Sequence, residues 1–161
     1  MDSKPASSPN APMAAPPMAV ALEEARAAAS RGEVPVGAVV VDAGTGAILA
    51  RAGNRTEELR DPSAHAEILA LRAAATNRGV PRLPECDLYV TIEPCAMCAA
   101  AISFARIRRL YFGAPDPKMG AVEHGPRFFR QTTCHHAPDV YGGIGESEAA
   151  ALMRAFFEAR R

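Results

Sequence analysis

The chain has 161 residues, 48% of them apolar and 22% charged, with a formal net charge of zero. That length and balance describe one globular domain that can bury a core without disulfides, and they exclude a wholly disordered chain. No apolar run approaches the roughly 18 residues that a membrane span needs, and zero net charge gives no bulk attraction to nucleic acid.

Residues 1–17 contain Asp2, Lys4 and five prolines but no apolar stretch, so they do not read as a secretory signal. Their Pro/Ala/Ser-rich composition predicts a disordered tail, with one domain over residues 18–161. Residues 18–31 are rich in Ala, Leu and Glu and stop at Gly32, the pattern of a helix. Residues 34–42 are a β-branched run and 47–51 a second strand, joined through the turn residues Ala43, Gly44, Thr45 and Gly46 as a hairpin. The first of these strands is apolar at nearly every position, which predicts cover on both faces.

Asp61-Pro62-Ser63 opens a helix that runs to about Thr76 and ends at Asn77 and Gly79. A strand is predicted over 87–92, broken by Glu93-Pro94, then a helix over 95–104 and a strand over 108–112. Residues 114–134 read as irregular, with a helical turn at 126–130. A short strand at 139–141 precedes Gly142-Gly143, and an amphipathic helix over 146–160 closes the chain. This alternation predicts helices on both faces of one mixed sheet.

The four cysteines are Cys86, Cys95, Cys98 and Cys134. Without a secretion signal they point to a reducing, cytoplasmic setting rather than a disulfide frame. Sixteen of the 18 basic residues are arginine. Between Arg106 and Arg130, six basic residues face Asp116 and Glu123, a local excess of four positive charges that is either an RNA-facing surface or a solvated one.

Two short motifs carry the chemistry. In Pro94-Cys95-Ala96-Met97-Cys98 the cysteines are three apart, on one face of a helix start. There the helix dipole favours the thiolate that a metal requires. Alone, Cys-x-x-Cys also fits two buried thiols or a redox pair. His65-Ala66-Glu67, at another helix start, adds a third ligand and a carboxylate. Three protein ligands leave one position open, as catalytic zinc requires. Zinc brings the pKa of bound water to roughly 7, and Glu67 is placed to shuttle its proton.

His-x-Glu, 26 residues, then Pro-Cys-x-x-Cys resembles the zinc nucleobase deaminases. The resemblance narrows to the bacterial tRNA-specific adenosine deaminases. It is carried by Glu33-Val34-Pro35-Val36-Gly37-Ala38-Val39, Asn54-Arg55, Asp61-Pro62-Ser63-Ala64-His65-Ala66-Glu67-Ile68, Leu88-Tyr89-Val90-Thr91-Ile92-Glu93-Pro94-Cys95-Ala96-Met97-Cys98 and Phe112-Gly113-Ala114. It runs from about residue 20 to the C-terminus.

The resemblance implies a three-layer α/β/α, cytidine-deaminase-like fold around a mixed five-stranded sheet, a homodimer and one Zn2+ per subunit. It implies hydrolytic deamination of the wobble adenosine in an arginine tRNA anticodon loop to inosine, by zinc-activated hydroxide. By position, His65, Cys95 and Cys98 hold zinc and Glu67 is the catalytic proton shuttle. Asn54 hydrogen-bonds the purine, backbone groups near Ala66 and Glu93 place the base, and Val34, Pro35 and Val36 form an apolar wall. Outside the motif context Asn54 reads as a turn residue and Pro35 as a strand bulge.

Arg127, Phe128, Phe129 and Arg130 are candidates for phosphate contact and base stacking; packing in the core or against a dimer partner is the favoured reading of the two phenylalanines. Cys134, His135 and His136 read as loop residues rather than a second metal site, and Met18 and Met97 as core filler. Two other functions fit the motifs: a deaminase of free guanine or cytosine or of a nucleoside, and a zinc-stabilised binding module without catalysis.

Overall fold

The structure is a computed structural model describing residues 16–161. Five strands, β1 (Gly37–Asp42), β2 (Ile48–Gly53), β3 (Cys86–Ile92), β4 (Arg109–Ala114) and β5 (Asp139–Tyr141), form one sheet in the order β2-β1-β3-β4-β5. β1 runs antiparallel to β2 and β3, while β3, β4 and β5 are mutually parallel. The helices are α1 (Pro17–Ser30), α2 (Thr56–Leu59), α3 (Ala66–Arg78), α4 (Ala96–Phe104) and α5 (Glu146–Glu158), with a 3-10 turn at Phe128–Arg130. The tail expectation falls almost wholly outside the described residues; within them, Pro17 already opens α1, where proline is well suited because the N–H it lacks has no partner in a first turn.

Strand alternation divides the core in two. Ala38 and Val40 of β1 join Leu88, Val90, Leu110 and Phe112 against α3 and α4. Val39 and Val41 point the other way, onto Met18, Ala21 and Leu22 of α1, where Ala149 of α5 also packs. This is the predicted three-layer α/β/α arrangement, and β1 is covered on both faces. The α1 layer sits close because Gly37 has no side chain: a Cβ there would run into the Ala21 carbonyl oxygen and lie 2.7 Å from the Ala25 nitrogen.

Several boundaries differ from expectation. β1 begins at Gly37 rather than Val34, because Pro35 has no N–H to give a ladder and the Val36 N–H turns back to the Val34 carbonyl at 2.8 Å. β2 runs on to Gly53. Residues 61–65 do not join α3. The Asp61 carboxylate accepts the Ser63 N–H (2.9 Å) and hydroxyl (2.7 Å), and the His65 N–H bonds the Ser63 carbonyl (2.8 Å), so helix starts at Ala66. The one-turn helix α2 is an element the sequence pattern does not mark. Met18 is core, but Met97 is 37% exposed, contrary to its reading as filler.

Register explains where function gathers. Gly37 of β1 is opposite Gly53 of β2, its neighbour Ala38 is opposite Val90 of β3, and Ile92 is level with Ala114 of β4. The segments entering β1 and leaving β2, β3 and β4 therefore meet at one end of the sheet.

Candidate metal centre and active site

α3 and α4 begin at that end. His65 is the N-cap of α3 (φ −73°, ψ 151°) and Cys95 the N-cap of α4 (φ −73°, ψ 175°), both extended, and neither side chain caps its own helix. An N-cap side chain normally accepts a hydrogen bond from its helix. Here both side chains turn to each other across the gap. His65 Nδ1 lies 3.6 Å from Cys95 Sγ and 3.5 Å from Cys98 Sγ. The three donor atoms lie within 4.8 Å of one another.

The donor set fits zinc. Tetrahedral bonds of about 2.3 Å to sulfur and 2.0–2.1 Å to nitrogen put ligand S and N about 3.6 Å apart, the spacing found. Protons alone do not settle the pair. The Cys98 hydrogen bond, with help from His65, brings the Cys95 thiol down to about 4 against its burial, while the same contact with Cys95 and then burial push Cys98 up. One thiolate thus forms at the expense of the other. A divalent cation in place of the shared proton lets both ionise, aided by two helix N-termini. Among the described residues no fourth His, Cys, Asp or Glu joins the cluster.

Glu67 is the second residue of α3, 4% exposed. Burial raises its carboxyl above the usual range, and the negative Cys95 adds to the rise; bonds from its own backbone and from Cys98 oppose it. A carboxyl so placed takes and returns a proton more readily than an exposed one near neutral pH. The Cys95 contact raises the His65 imidazole, against its burial.

The other residues singled out from sequence lie on the adjoining segments. Asn54 leaves β2 at 6% exposure; its N–H bonds the Val36 carbonyl at 3.0 Å and Arg31 holds its carbonyl at 3.3 Å. Its side-chain NH2 reaches Thr56 Oγ1 at 3.4 Å. The Arg55 N–H bonds Ala64 O at 3.0 Å and ties this turn to His65. Val34, Pro35 and Val36 precede β1 at the same end of the sheet, and Ala66 opens α3. The Glu93 N–H is committed to the Ala114 carbonyl at 2.9 Å.

Phe128 and Phe129 pack against the α3/α4 core. Cys134 and His136 do not join a metal cluster: Cys134 Sγ and Ser103 Oγ both reach the His136 carbonyl (3.1 and 2.6 Å), and His136 Nε2 bonds Ile107 O at 2.7 Å. Arg108 of the basic stretch is taken by a two-pronged pair with Asp87 at 2.8 and 2.9 Å. Sequence reasoning missed the Glu93 side chain, whose carboxylate is wholly buried. Its one signal was an ionisable residue directly following the apolar run of β3.

Residues 15–114 match the model of the cytidine and deoxycytidylate deaminase zinc-binding region. The chain is 63% identical over 144 residues to the tRNA-specific adenosine deaminase of Agrobacterium fabrum (strain C58), covering 89% of this chain and 93% of that protein. It is 40% identical to that of Bacillus subtilis (strain 168), covering 89% and 88%. A solved structure from a study of A-to-I editing by tRNA:A34 deaminases at the wobble position of transfer RNA superposes with a TM-score of 0.82 at 64% identity, covering 84% of this chain and 97% of that one. A guanine deaminase from Nitrosomonas europaea is more distant, with a TM-score of 0.76 at 28% identity over 89% and 85%. With these motifs at this geometry, the chain belongs to the cytidine and deoxycytidylate deaminase zinc-binding family, within its tRNA-specific adenosine deaminases.

Proposed function

We propose that the protein hydrolyses the wobble adenosine of an arginine tRNA anticodon to inosine, releasing ammonia. The observation that carries the chemistry is a buried carboxylate, Glu67, two residues from a three-donor cluster with no fourth protein ligand among the described residues. Likeness to tRNA-specific adenosine deaminases along most of both chains carries the substrate.

His65, Cys95 and Cys98 hold the zinc ion, which when bound supplies a Lewis acid that makes water nucleophilic near neutral pH. The Glu67 carboxylate takes one proton from water and delivers it to N1 of the purine as the oxygen bonds to C6, then carries the remaining proton of that oxygen to the exocyclic amine, whose C6–N bond breaks to release ammonia. Asn54 hydrogen-bonds the purine, the half-buried Val34 and Val36 wall it with the fully buried Pro35 fixing the turn between them, and backbone at Ala66 and Glu93 fixes its edge. A stacked base cannot reach such a site, so the nucleotide enters splayed from a single-stranded loop.

The protein acts as a homodimer. Met97, Ala101 and Phe104 form a stripe on α4, with Phe104 72% exposed. Among the described residues no helix is long and apolar enough to cross a membrane. The unpaired cysteines suit the reducing cytoplasm. The catalytic unit includes α1 from Pro17 and runs on through α5.

The test is incubation with an arginine tRNA anticodon stem-loop and, separately, with free guanine, cytosine and nucleosides. Inosine from the stem-loop alone is expected, at a rate that falls with salt and with Arg127→Glu and Arg130→Glu. Xanthine or uracil formation without RNA dependence would establish the free-base reading instead.

A further inference from the structure

Glu93 directly follows β3 with its side chain fully buried, and no step of the reaction uses its carboxylate. All its hydrogen bonds go to one loop. Oε1 accepts the Asp116 N–H at 3.1 Å and His124 Nδ1 at 2.7 Å. Oε2 accepts three consecutive backbone N–H groups, from Val122 (3.2 Å), Glu123 (3.0 Å) and His124 (3.1 Å). Burial pushes this carboxyl up, but the Asp116 N–H, His124 and the remaining backbone donors outweigh burial and hold it below the usual range.

The loop is shaped around the anion. Gly120 passes so close that a Cβ would overlap the carboxylate, 2.5 Å from its Cδ. The next residue, Ala121, donates its N–H to the Pro94 carbonyl at 2.9 Å, one residue before Cys95. Residues 116–124 contain no helix or strand, so the N–H groups of 122–124 have no backbone ladder to satisfy them. Asp116 closes a turn of its own, its carboxylate and carbonyl accepting the Lys118, Met119 and Gly120 N–H groups, but the N–H groups of 122–124 have only the Glu93 carboxylate to hold them in this form.

We propose that Glu93 is a positioning residue. Its carboxylate presets residues 116–124 as a fixed wall beside Cys95, so that the RNA meets a formed site rather than ordering a loop as it binds. A preset wall lowers the ordering cost of association, so its loss falls on KM more than on kcat. The proposal rests on the tRNA deaminase reading for its substrate.

The experiment compares Glu93→Gln, Gly120→Ala and His124→Ala in the zinc-loaded full chain, using an anticodon stem-loop and amide hydrogen exchange without RNA. Glu93→Gln turns an amide N–H2 toward backbone donors. It is expected to keep one zinc, lose exchange protection at 122–124 and raise KM about tenfold with kcat changed less than about threefold. Gly120→Ala drives a methyl into both Glu93 Oε2 and the Asp116 carbonyl oxygen, crowding the carboxylate and the turn beside it; it is expected to give the same outcome, and decides the question if Glu93→Gln does not fold. His124→Ala removes one side-chain bond to Oε1 and leaves the four backbone bonds in place, so it should raise KM less than Glu93→Gln and keep exchange protection at 122 and 123. Wild-type KM and protection in Glu93→Gln or Gly120→Ala overturn the proposal, as does a fall in kcat accompanied by zinc loss. If the wild-type protein itself forms no inosine, the functional reading has failed instead.

Discussion

Glu67→Gln separates proton transfer from metal binding. The side chain is 4% exposed at the start of α3 and lies outside the three-donor cluster. Gln matches it in volume, opens no cavity and cannot accept the proton of water. General acid–base catalysis is worth about 10²–10⁴ in rate, and here one carboxylate serves two transfers. The upper end applies, near 10⁴ or about 5.4 kcal/mol of transition-state stabilisation. Zinc content, read by mass spectrometry, should remain one per chain, with inosine formation at background. A glutamine variant that loses zinc, or retains more than about a tenth of the rate, would show that Glu67 is a ligand or a bystander.

The same variant has a stability signature in the metal-stripped protein. Burial raises the folded-state pKa of Glu67 above the ordinary 4.5. An acid with a raised folded pKa favours folding while protonated. Its contribution is full below the unfolded value and is lost as pH rises from there through the folded value. Glu67→Gln removes that loss. Its melting temperature should equal that of wild type below about pH 4 and exceed it increasingly as pH rises past the unfolded value. An equal melting temperature at neutral pH would contradict the burial argument.

Cys95→Ser or His65→Ala should bring zinc from one per chain to none and make thermal stability insensitive to chelator, whereas wild type loses stability on chelation; retained metal would refute the cluster. Gly37→Ala drives a methyl into the Ala21 carbonyl where α1 meets β1. A loss of about 1–3 kcal/mol, roughly 3–10 °C in Tm, is expected by chemical and thermal denaturation, and unchanged stability would refute so close a helix–sheet contact. Phe104→Glu alters a side chain 72% exposed on α4. It should halve the sedimenting mass at micromolar protein while leaving the thermal stability of the subunit within about 0.5 kcal/mol; an unaltered dimer would place the interface elsewhere.

The metal centre is legible in the sequence because its requirements are local. A Cys at i and i+3, and a His two residues before a Glu, occupy fixed positions at helix starts, and those positions fix which side chains share a face. β1 is legible for the same reason, since a run apolar at every position needs two covered faces. Where neighbours in sequence compete with the regular ladder, the pattern misleads: Val36 turning back to Val34 shortens β1, and the Asp61–Ser63 turn delays α3 to Ala66. Met97, on a helix apolar all round, carries no mark of which side would face outward.

Composition and spacing thus decided the types of every element but the one-turn α2, and the donor set and its chemistry, since these follow from backbone period and from each residue's own donors and acids. Tertiary structure alone decided that the Glu93 carboxylate would gather the N–H groups of Asp116 and 122–124, that Arg108 would commit its charge to Asp87, and that Asn54 would sit against Val36 and Arg31. Those partners lie 18 to 31 residues apart in the chain. Nothing in either segment encodes the other; the sheet register brings them together, and only then does each polar group find what satisfies it.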